Sequence, residues 1–166
     1  MDTGLLIARM VFGLLLAAHG AQKLFGWFGG YGLTGTGGFF EQLGFRPGRF
    51  FAAAAGVTEV TAGLLVAVGL LGPLGPALIV SVMLVAIATV HWQYGLFAQN
   101  NGIEVPLLYA VAAVALALTG FGAFSLDATL GLAWSAEVTW IALALGALGA
   151  IANLALRRTN AQAAHV

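Results

Sequence analysis

The chain has 166 residues, of which 61% are hydrophobic and only 7% are charged. Soluble domains are typically about 25% charged, so this composition excludes a water-facing globular domain and indicates an integral membrane protein. Six basic and six acidic side chains balance each other, which leaves no net positive charge to attract nucleic acid. Cysteine is absent, which excludes disulfides, Cys-ligated metal sites and thiol redox chemistry.

Five apolar stretches predict membrane-spanning helices. About 20 residues at roughly 1.5 Å each cross a hydrocarbon core of about 30 Å. The stretches lie at about residues 5–25, 50–71, 74–97, 105–121 and 138–156. Backbone amides in lipid have no water to bind, so each stretch is expected to be helical. The sequence therefore predicts an all-α, polytopic transmembrane bundle.

Two connections differ from simple turns. Residues 26–49 are rich in glycine and in aromatic residues. Aromatic rings prefer the headgroup region, so this loop is expected at the membrane interface. A short helix is expected within it at about residues 38–43. Residues 125–137, with Asp127, Trp134 and Glu137, predict a second interfacial connection.

The basic residues predict the orientation. Lys23, Arg46 and Arg49 bracket the first connection, and Arg157 and Arg158 follow the last helix. Five crossings place both groups on one face, which the positive-inside rule assigns to the cytoplasm. The N-terminus is then expected outside and the C-terminus inside. Four crossings would place the two groups on opposite faces.

Ionisable residues within the predicted spans are the main functional signal, because each costs several kcal/mol in a bilayer. They are Arg9, His19, Lys23, Glu59, His91 and Glu104. The antiparallel order of the helices predicts that all of these except Arg9 lie in the same half of the membrane.

Helical spacing predicts that the polar side chains point into the bundle. Gly13 and Gly20 mark the face of the first helix that packs closely on another helix. Glu59 lies roughly 13 Å into the second helix, on a face of small residues: Ala52, Ala55, Gly56, Ala62 and Gly63. Lys23 or Arg9 is then a candidate cationic partner; alternatively, Glu59 is protonated and takes part in proton transfer.

Most of these residues also fit ordinary structural roles. Lys23 is long enough to extend its ammonium to the interface, and Glu104 favours the start of a helix. His91 fits interfacial anchoring, while His19 and Gln22 fit hydrogen bonds between helices. Glu59 is the hardest to explain in this way, because of its depth.

Several motifs resemble one family. They are residues 19–26 (HGAQKLFG), 40–44 (FEQLG), 56–59 (GVTE), 90–92 (VHW), 104–107 (EVPL) and 125–127 (SLD). Together they resemble the DoxX family of membrane proteins over about residues 5–127. The resemblance implies a four-helix membrane unit in bacterial inner membranes, and some relatives are named for a subunit of a thiosulfate:quinone oxidoreductase.

This resemblance suggests a division of the chain. Residues 1–127 form the DoxX-like four-helix transmembrane unit, with the interfacial loop at residues 26–49. Residues 128–166 form an appended interfacial segment, a fifth C-terminal transmembrane helix and a short cytoplasmic tail. The fifth helix carries a stripe of small residues with a polar one, a pattern more typical of packing than of a site: Ala142, Gly146, Ala150 and Asn153.

The preferred hypothesis is a redox-associated membrane subunit that binds a quinone-like head group. A quinone needs proton carriers near its oxygens and apolar walls open to lipid. Glu59, His91 and His19 are the candidate catalytic residues. The candidate cofactor-binding residues are Lys23, Gln22, Trp27, Trp92 and Glu104.

The sequence does not identify the cofactor or the activity. Without a cysteine or a nucleotide motif, electrons would come from a redox partner protein or a bound cofactor. A haem held by His19 and His91, or a flavin, is less favoured than a quinone, and no metal site is predicted. The alternative function is a non-catalytic membrane module, either an assembly partner or a carrier of a small amphipathic molecule. A homo-oligomer is a further candidate assembly in the bilayer.

Overall fold

A computed structural model describes residues 1–158, which form seven α-helices and no strand. The helices are α1 (Asp2–Phe25), α2 (Gly32–Gln42), α3 (Gly48–Val68), α4 (Leu74–Ala86), α5 (Glu104–Thr119), α6 (Leu126–Leu130) and α7 (Ala136–Ala155). Helices α1, α3 and α7, and α4 with its extension to Tyr94, are long and apolar enough to cross a membrane. The predicted all-α membrane bundle is therefore confirmed.

The shortest of the predicted spans is α5. Its 16 residues reach about 24 Å, which is shorter than a hydrocarbon core of about 30 Å. Hydrogen bonds before and after α5 nevertheless show that it connects the two ends of the bundle. Before α5, Ile103 N donates to Gly95 O (2.9 Å), beyond the end of α4. After α5, Arg9 Nη2 of α1 donates to Phe124 O (2.7 Å). The described chain therefore passes through the bundle five times.

The two ends of the bundle differ in charge. One, called here the basic end, contains the C-terminus of α1, the α2–α3 turn and the C-terminus of α7. Arg157 Nε and Arg158 N donate to Leu43 O and Gly44 O there. These bonds bring Arg157 and Arg158 to the same end of the bundle as Arg46. The other, the acidic end, contains Asp2 and Asp127.

Helices α1 and α3 form the tightest helix pair. A Cβ at Gly13 would overlap Gly63 O, and a Cβ at Gly20 would overlap Gly56 O. The absence of side chains lets the two backbones approach closely, as in other membrane helix pairs with small residues. The packing face predicted from Gly13 and Gly20 is therefore confirmed.

Helix α2 begins six residues earlier than the short helix expected at residues 38–43. Its glycines disfavour an isolated helix, but α2 packs on α3, where Gly37 lies against Arg49. Gly48 N, at the start of α3, donates to Glu41 Oε1 of α2 (3.2 Å). Phe45 in the turn between them is only 1% exposed. Tertiary packing therefore overrides the local preference of this segment.

Helix α4 ends earlier than predicted. It continues as a π-helical turn (Ile87–His91) and a 3-10 turn (Trp92–Tyr94), so the expected helix to residue 97 is broken. Gly95, with φ +78°, then reverses the chain. Single π turns within helices are frequent at functional sites, and this one determines where His91 lies.

Asp127 holds the acidic end together. Its carboxylate accepts hydrogen bonds from Leu71 N (2.8 Å), Gly72 N (2.7 Å) and Trp134 Nε1 (2.9 Å), and the residue is 5% exposed. These bonds satisfy the amides of the α3–α4 turn and link it to the segment before α7. The bonds therefore join segments on both sides of residue 127. The division of the chain into two units after this residue stays a prediction.

Arg9 is fully buried near the same end. Its guanidinium lies 5.8 Å from the centre of the Phe121 ring and against Gly69, where a Cβ would overlap Nη1. Nε and Nη1 have no hydrogen-bond partner within residues 1–158. Arg9 thus lies far from Glu59 and is not its cationic partner.

We expect Asp127→Asn to destabilise the protein by about 2 kcal/mol, because an amide turns N–H groups toward donors that now meet a carboxylate. The free energy of unfolding in mixed detergent micelles measures this. Glu137→Gln is the control, since Glu137 is exposed at the same end and should change stability by less than about 0.5 kcal/mol. Equal effects of the two substitutions would contradict the role of Asp127.

Five passes also predict the accessibility of introduced cysteines. Thr34 and Leu130 are exposed at opposite ends of the bundle, and the chain has no native cysteine. A membrane-impermeant maleimide should label Thr34→Cys and Leu130→Cys from opposite sides of the membrane. Labelling of both from the same side would contradict this topology.

Candidate functional site

An ion pair lies between α1 and α3. Lys23 Nζ donates to Glu59 Oε1. The Glu59 side chain is 3% exposed and that of Lys23 is 28% exposed. Of the two predicted cationic partners, the structure therefore selects Lys23. The ammonium is directed into the bundle and not simply extended to the interface.

Helix geometry explains how Lys23 reaches Glu59. Gly20 lies against Gly56 and Val60. Lys23, one helical turn beyond Gly20, is therefore nearer the basic end than Glu59 is. Side chains on a helix lean toward its N-terminus. Lys23 on α1 therefore leans into the membrane, while Glu59 on the antiparallel α3 leans toward the basic end, and the two charged groups meet.

Glu59 lines a cavity of about 340 Å³, called here the inner cavity. Its polar lining residues are Lys23, Thr58, Glu59, Ser81, Thr89, His91 and Asn153. Its aromatic lining residues are Phe39, Phe40, Phe45 and Phe51. Glu59 Oε2 is buried and has no hydrogen-bond partner within residues 1–158. The cavity is therefore bordered by a carboxylate with an unused acceptor oxygen.

His91 contributes a second titratable group to the inner cavity. Its Nδ1 lies 2.7 Å from Asn101 O. A carbonyl oxygen only accepts hydrogen bonds, so Nδ1 carries the proton and Nε2 of the neutral ring remains an acceptor. The structure thus brings Glu59 and His91 to one cavity.

His19 lies at a different cavity, called here the outer cavity, of about 630 Å³. Gln22 Nε2 donates to Phe28 O (3.2 Å), so Gln22 Oε1 accepts from His19 Nδ1 at 3.0 Å. This bond within α1 differs from the expected hydrogen bond between helices. Lys23 lines both cavities and is the polar residue that joins them.

The remaining predicted residues lie outside the two cavities. Trp27 and Trp92 are 60% and 71% exposed, as expected of rings at a membrane interface. Glu104 Oε2 accepts from Ala98 N (2.8 Å), in the turn before α5. The assignment of these three residues to cofactor binding stays a prediction.

Two further polar residues line the inner cavity. Ser81 of α4 is not among the residues predicted from the sequence, and the stripe that contains Asn153 of α7 is more typical of packing than of a site. The signal that could have identified Asn153 is its isolation, since an amide in an apolar helix needs a polar partner or a cavity.

The described groups favour proton acceptance and hydrogen bonding. Within residues 1–158, no three His, Cys, Asp or Glu side chains are close enough to hold a metal ion together. His19 and His91 line different cavities, which is not the arrangement of two axial ligands on one haem. Glu59 Oε2 and His91 Nε2 are acceptors, and the Lys23 ammonium is a donor.

One comparison with known proteins gives a match. A family model described as DoxX matches residues 4–92, which include most of α1, all of α2 to α4 and the candidate residues from His19 to Trp92. Neither a curated protein nor a solved structure matches the chain.

We expect Lys23→Met to destabilise the protein by about 3 kcal/mol, because it leaves the Glu59 carboxylate buried and unpaired. The double variant Lys23→Met/Glu59→Met should recover most of this loss, since it buries no charge. The free energy of unfolding in mixed micelles is measured for Lys23→Met, Glu59→Met and the double variant, with the exposed Arg46→Met as control. A double variant whose loss of stability equals the sum of the two single losses would show that the pair does not interact.

Proposed function

We propose that this chain, which belongs to the DoxX family of membrane proteins, binds the head group of a quinol in its inner cavity. The observation that carries the proposal is the buried and unpaired Oε2 of Glu59, a residue that lines a cavity with aromatic walls. The role is that of a quinone-linked subunit of a membrane redox system.

The charge state of Glu59 favours the reduced form of the ligand. In the ion pair with the Lys23 ammonium, Glu59 is a carboxylate, which accepts hydrogen bonds and donates none. A quinol hydroxyl donates to such an oxygen, whereas a quinone carbonyl does not. The inner cavity therefore suits the hydroxyl groups of a quinol.

The size and walls of the cavity fit an aromatic head group. A volume of about 340 Å³ lies within the range of small-molecule pockets, roughly 300–1,000 Å³. Phe40, Phe45 and Phe51 offer ring surfaces, against which an aromatic ligand packs by stacked or edge contacts. His91 Nε2 supplies an acceptor for the second hydroxyl.

The redox step requires a partner protein. Oxidation of a quinol to the quinone breaks two O–H bonds and releases two protons and two electrons. In the proposed step, Glu59 Oε2 and His91 Nε2 take the protons. The electrons pass to a redox partner subunit that carries a flavin or a metal centre. Reduction of a quinone runs the same balance in reverse.

The outer cavity supplies an approach to this site. His19, Gln22 and Lys23 line it, and Lys23 borders both cavities. In the proposal, His19 exchanges protons with water at the interface. Lys23 holds the Glu59 carboxylate in position.

The basic residues support a bacterial inner-membrane location with the basic end in the cytoplasm. Arg46, Arg49, Arg157 and Arg158 flank the segments joined at this end. The positive-inside rule then places the N-terminus outside and the C-terminus inside. The protons of the proposed step would be exchanged with the cytoplasmic side.

The alternative is binding without electron transfer, as in a carrier of a small amphipathic molecule. The same polar cavity supports binding without electron transfer. The sequence also has no cysteine that could ligate an electron-transfer centre. An optical spectrum of the purified protein separates the two. An absorption band that bleaches or appears when quinol and the redox partner are added supports the redox role. A bound ligand whose spectrum does not change supports the carrier role.

Binding of a short-chain quinol to the protein in nanodiscs, under anaerobic conditions, tests the site. We expect Glu59→Gln to weaken binding tenfold or more, about the contribution of one hydrogen bond to a charged group. Glu137→Gln at the acidic end should bind as the wild type does. Equal binding by wild type and Glu59→Gln, or no binding by the wild type, would overturn the proposal.

A further inference from the structure

The polar groups of the inner cavity divide into acceptors and donors. The hydroxyls of Thr58 and Thr89 donate within their own helices, to Ala54 O and Val85 O, each at 2.8 Å. Their remaining lone pairs are acceptors. Thr58 lies beside Glu59 on α3, whereas Thr89 lies on the π-helical turn that follows α4. Neither threonine offers a ligand a hydrogen-bond donor.

Ser81 and Asn153 are different. Both line the inner cavity, and within the described part of the chain neither side chain hydrogen-bonds another protein group. A hydroxyl and an amide are the uncharged donors of this cavity. A polar side chain in a membrane helix that faces a cavity needs a partner there, so these two groups point to a polar atom of the ligand.

The packing of α4 on α7 places the two donors on one wall. Gly146 of α7 lies against Ala77 of α4, and a Cβ at Gly149 would lie 3.4 Å from Ser81 Oγ. Helices α4 and α7 run in the same direction, so Asn153 follows one helical turn beyond Gly149, toward the basic end. Glycine at position 149 leaves room beside the Ser81 hydroxyl.

Two hydrogen bonds at the C-terminus of α7 hold this wall in position. Arg157 Nε donates to Leu43 O, and Arg158 N donates to Gly44 O (2.9 Å). Leu43 and Phe45 line the same cavity as Asn153. The C-terminus of α7 is therefore tied to the α2–α3 turn, which holds the Asn153 amide over the inner cavity.

We propose that Ser81 and Asn153 donate hydrogen bonds to an alkoxy oxygen on the ligand ring, and so select alkoxy-substituted quinols over quinols that carry only alkyl groups. This inference rests on the proposed function. Glu59 and His91 accept the two ring hydroxyls, so the donors on the α4–α7 wall require a further oxygen that is an acceptor. A ring methyl group at this position leaves both donors buried and unpaired, which costs affinity.

The test compares two hydroquinones with the same short tail, one dimethoxy-substituted and one dimethyl-substituted, by anaerobic titration of the full chain in nanodiscs. We expect wild type to prefer the dimethoxy ring by about tenfold. Asn153→Leu, which keeps the side-chain size, should remove most of this preference and still bind the dimethyl ring. Ser81→Ala should reduce the preference in the same direction.

The matched control is Ala152→Leu, because Ala152 lies beside Asn153 on the exposed face of α7. It should retain the wild-type preference. A wild type without preference, or a preference unchanged in both Asn153→Leu and Ser81→Ala, would overturn the inference and leave quinol binding at Glu59 intact. Failure of wild type to bind either ring would overturn both proposals.

Discussion

The ion pair between Lys23 and Glu59 is the constraint on which the rest of the structure depends. A carboxylate near the middle of a membrane helix is tolerated only with a partner, because the interior does not solvate its charge. The pair forms because α1 and α3 are antiparallel and their side chains lean toward each other. It satisfies one carboxylate oxygen and leaves the other buried without a hydrogen-bond partner.

Small residues make that arrangement possible by bringing α1 and α3 into backbone contact. The polar groups then lie at the edge of a tightly packed pair, where α2, α4 and α7 enclose a cavity around them. One of these walls is a glycine-rich helix with a weak local signal, and another is a helix that lies outside the residues matched by the family. The cavity is therefore a property of the assembled bundle and of no single motif.

The two ends of the bundle use charge differently. At the acidic end, three hydrogen bonds satisfy the Asp127 carboxylate, and the buried Arg9 joins α1 to the segment after α5. These contacts connect turns and leave no carboxylate oxygen unused. Toward the other end, Glu59 Oε2 is buried without a partner, and Glu59 lines the inner cavity.

The sequence by itself determined the membrane class, the long apolar helices, the common position of the basic residues and the burial of Glu59, because hydropathy and the cost of buried charge are local and additive. Only the tertiary structure decided that Lys23, and not Arg9, pairs with Glu59. It also separated His19 from His91 and brought Ser81 and Asn153 to the cavity. These outcomes depend on helix register, on a π turn and on which helices become neighbours. Such relations arise between distant segments, so no local pattern contains them.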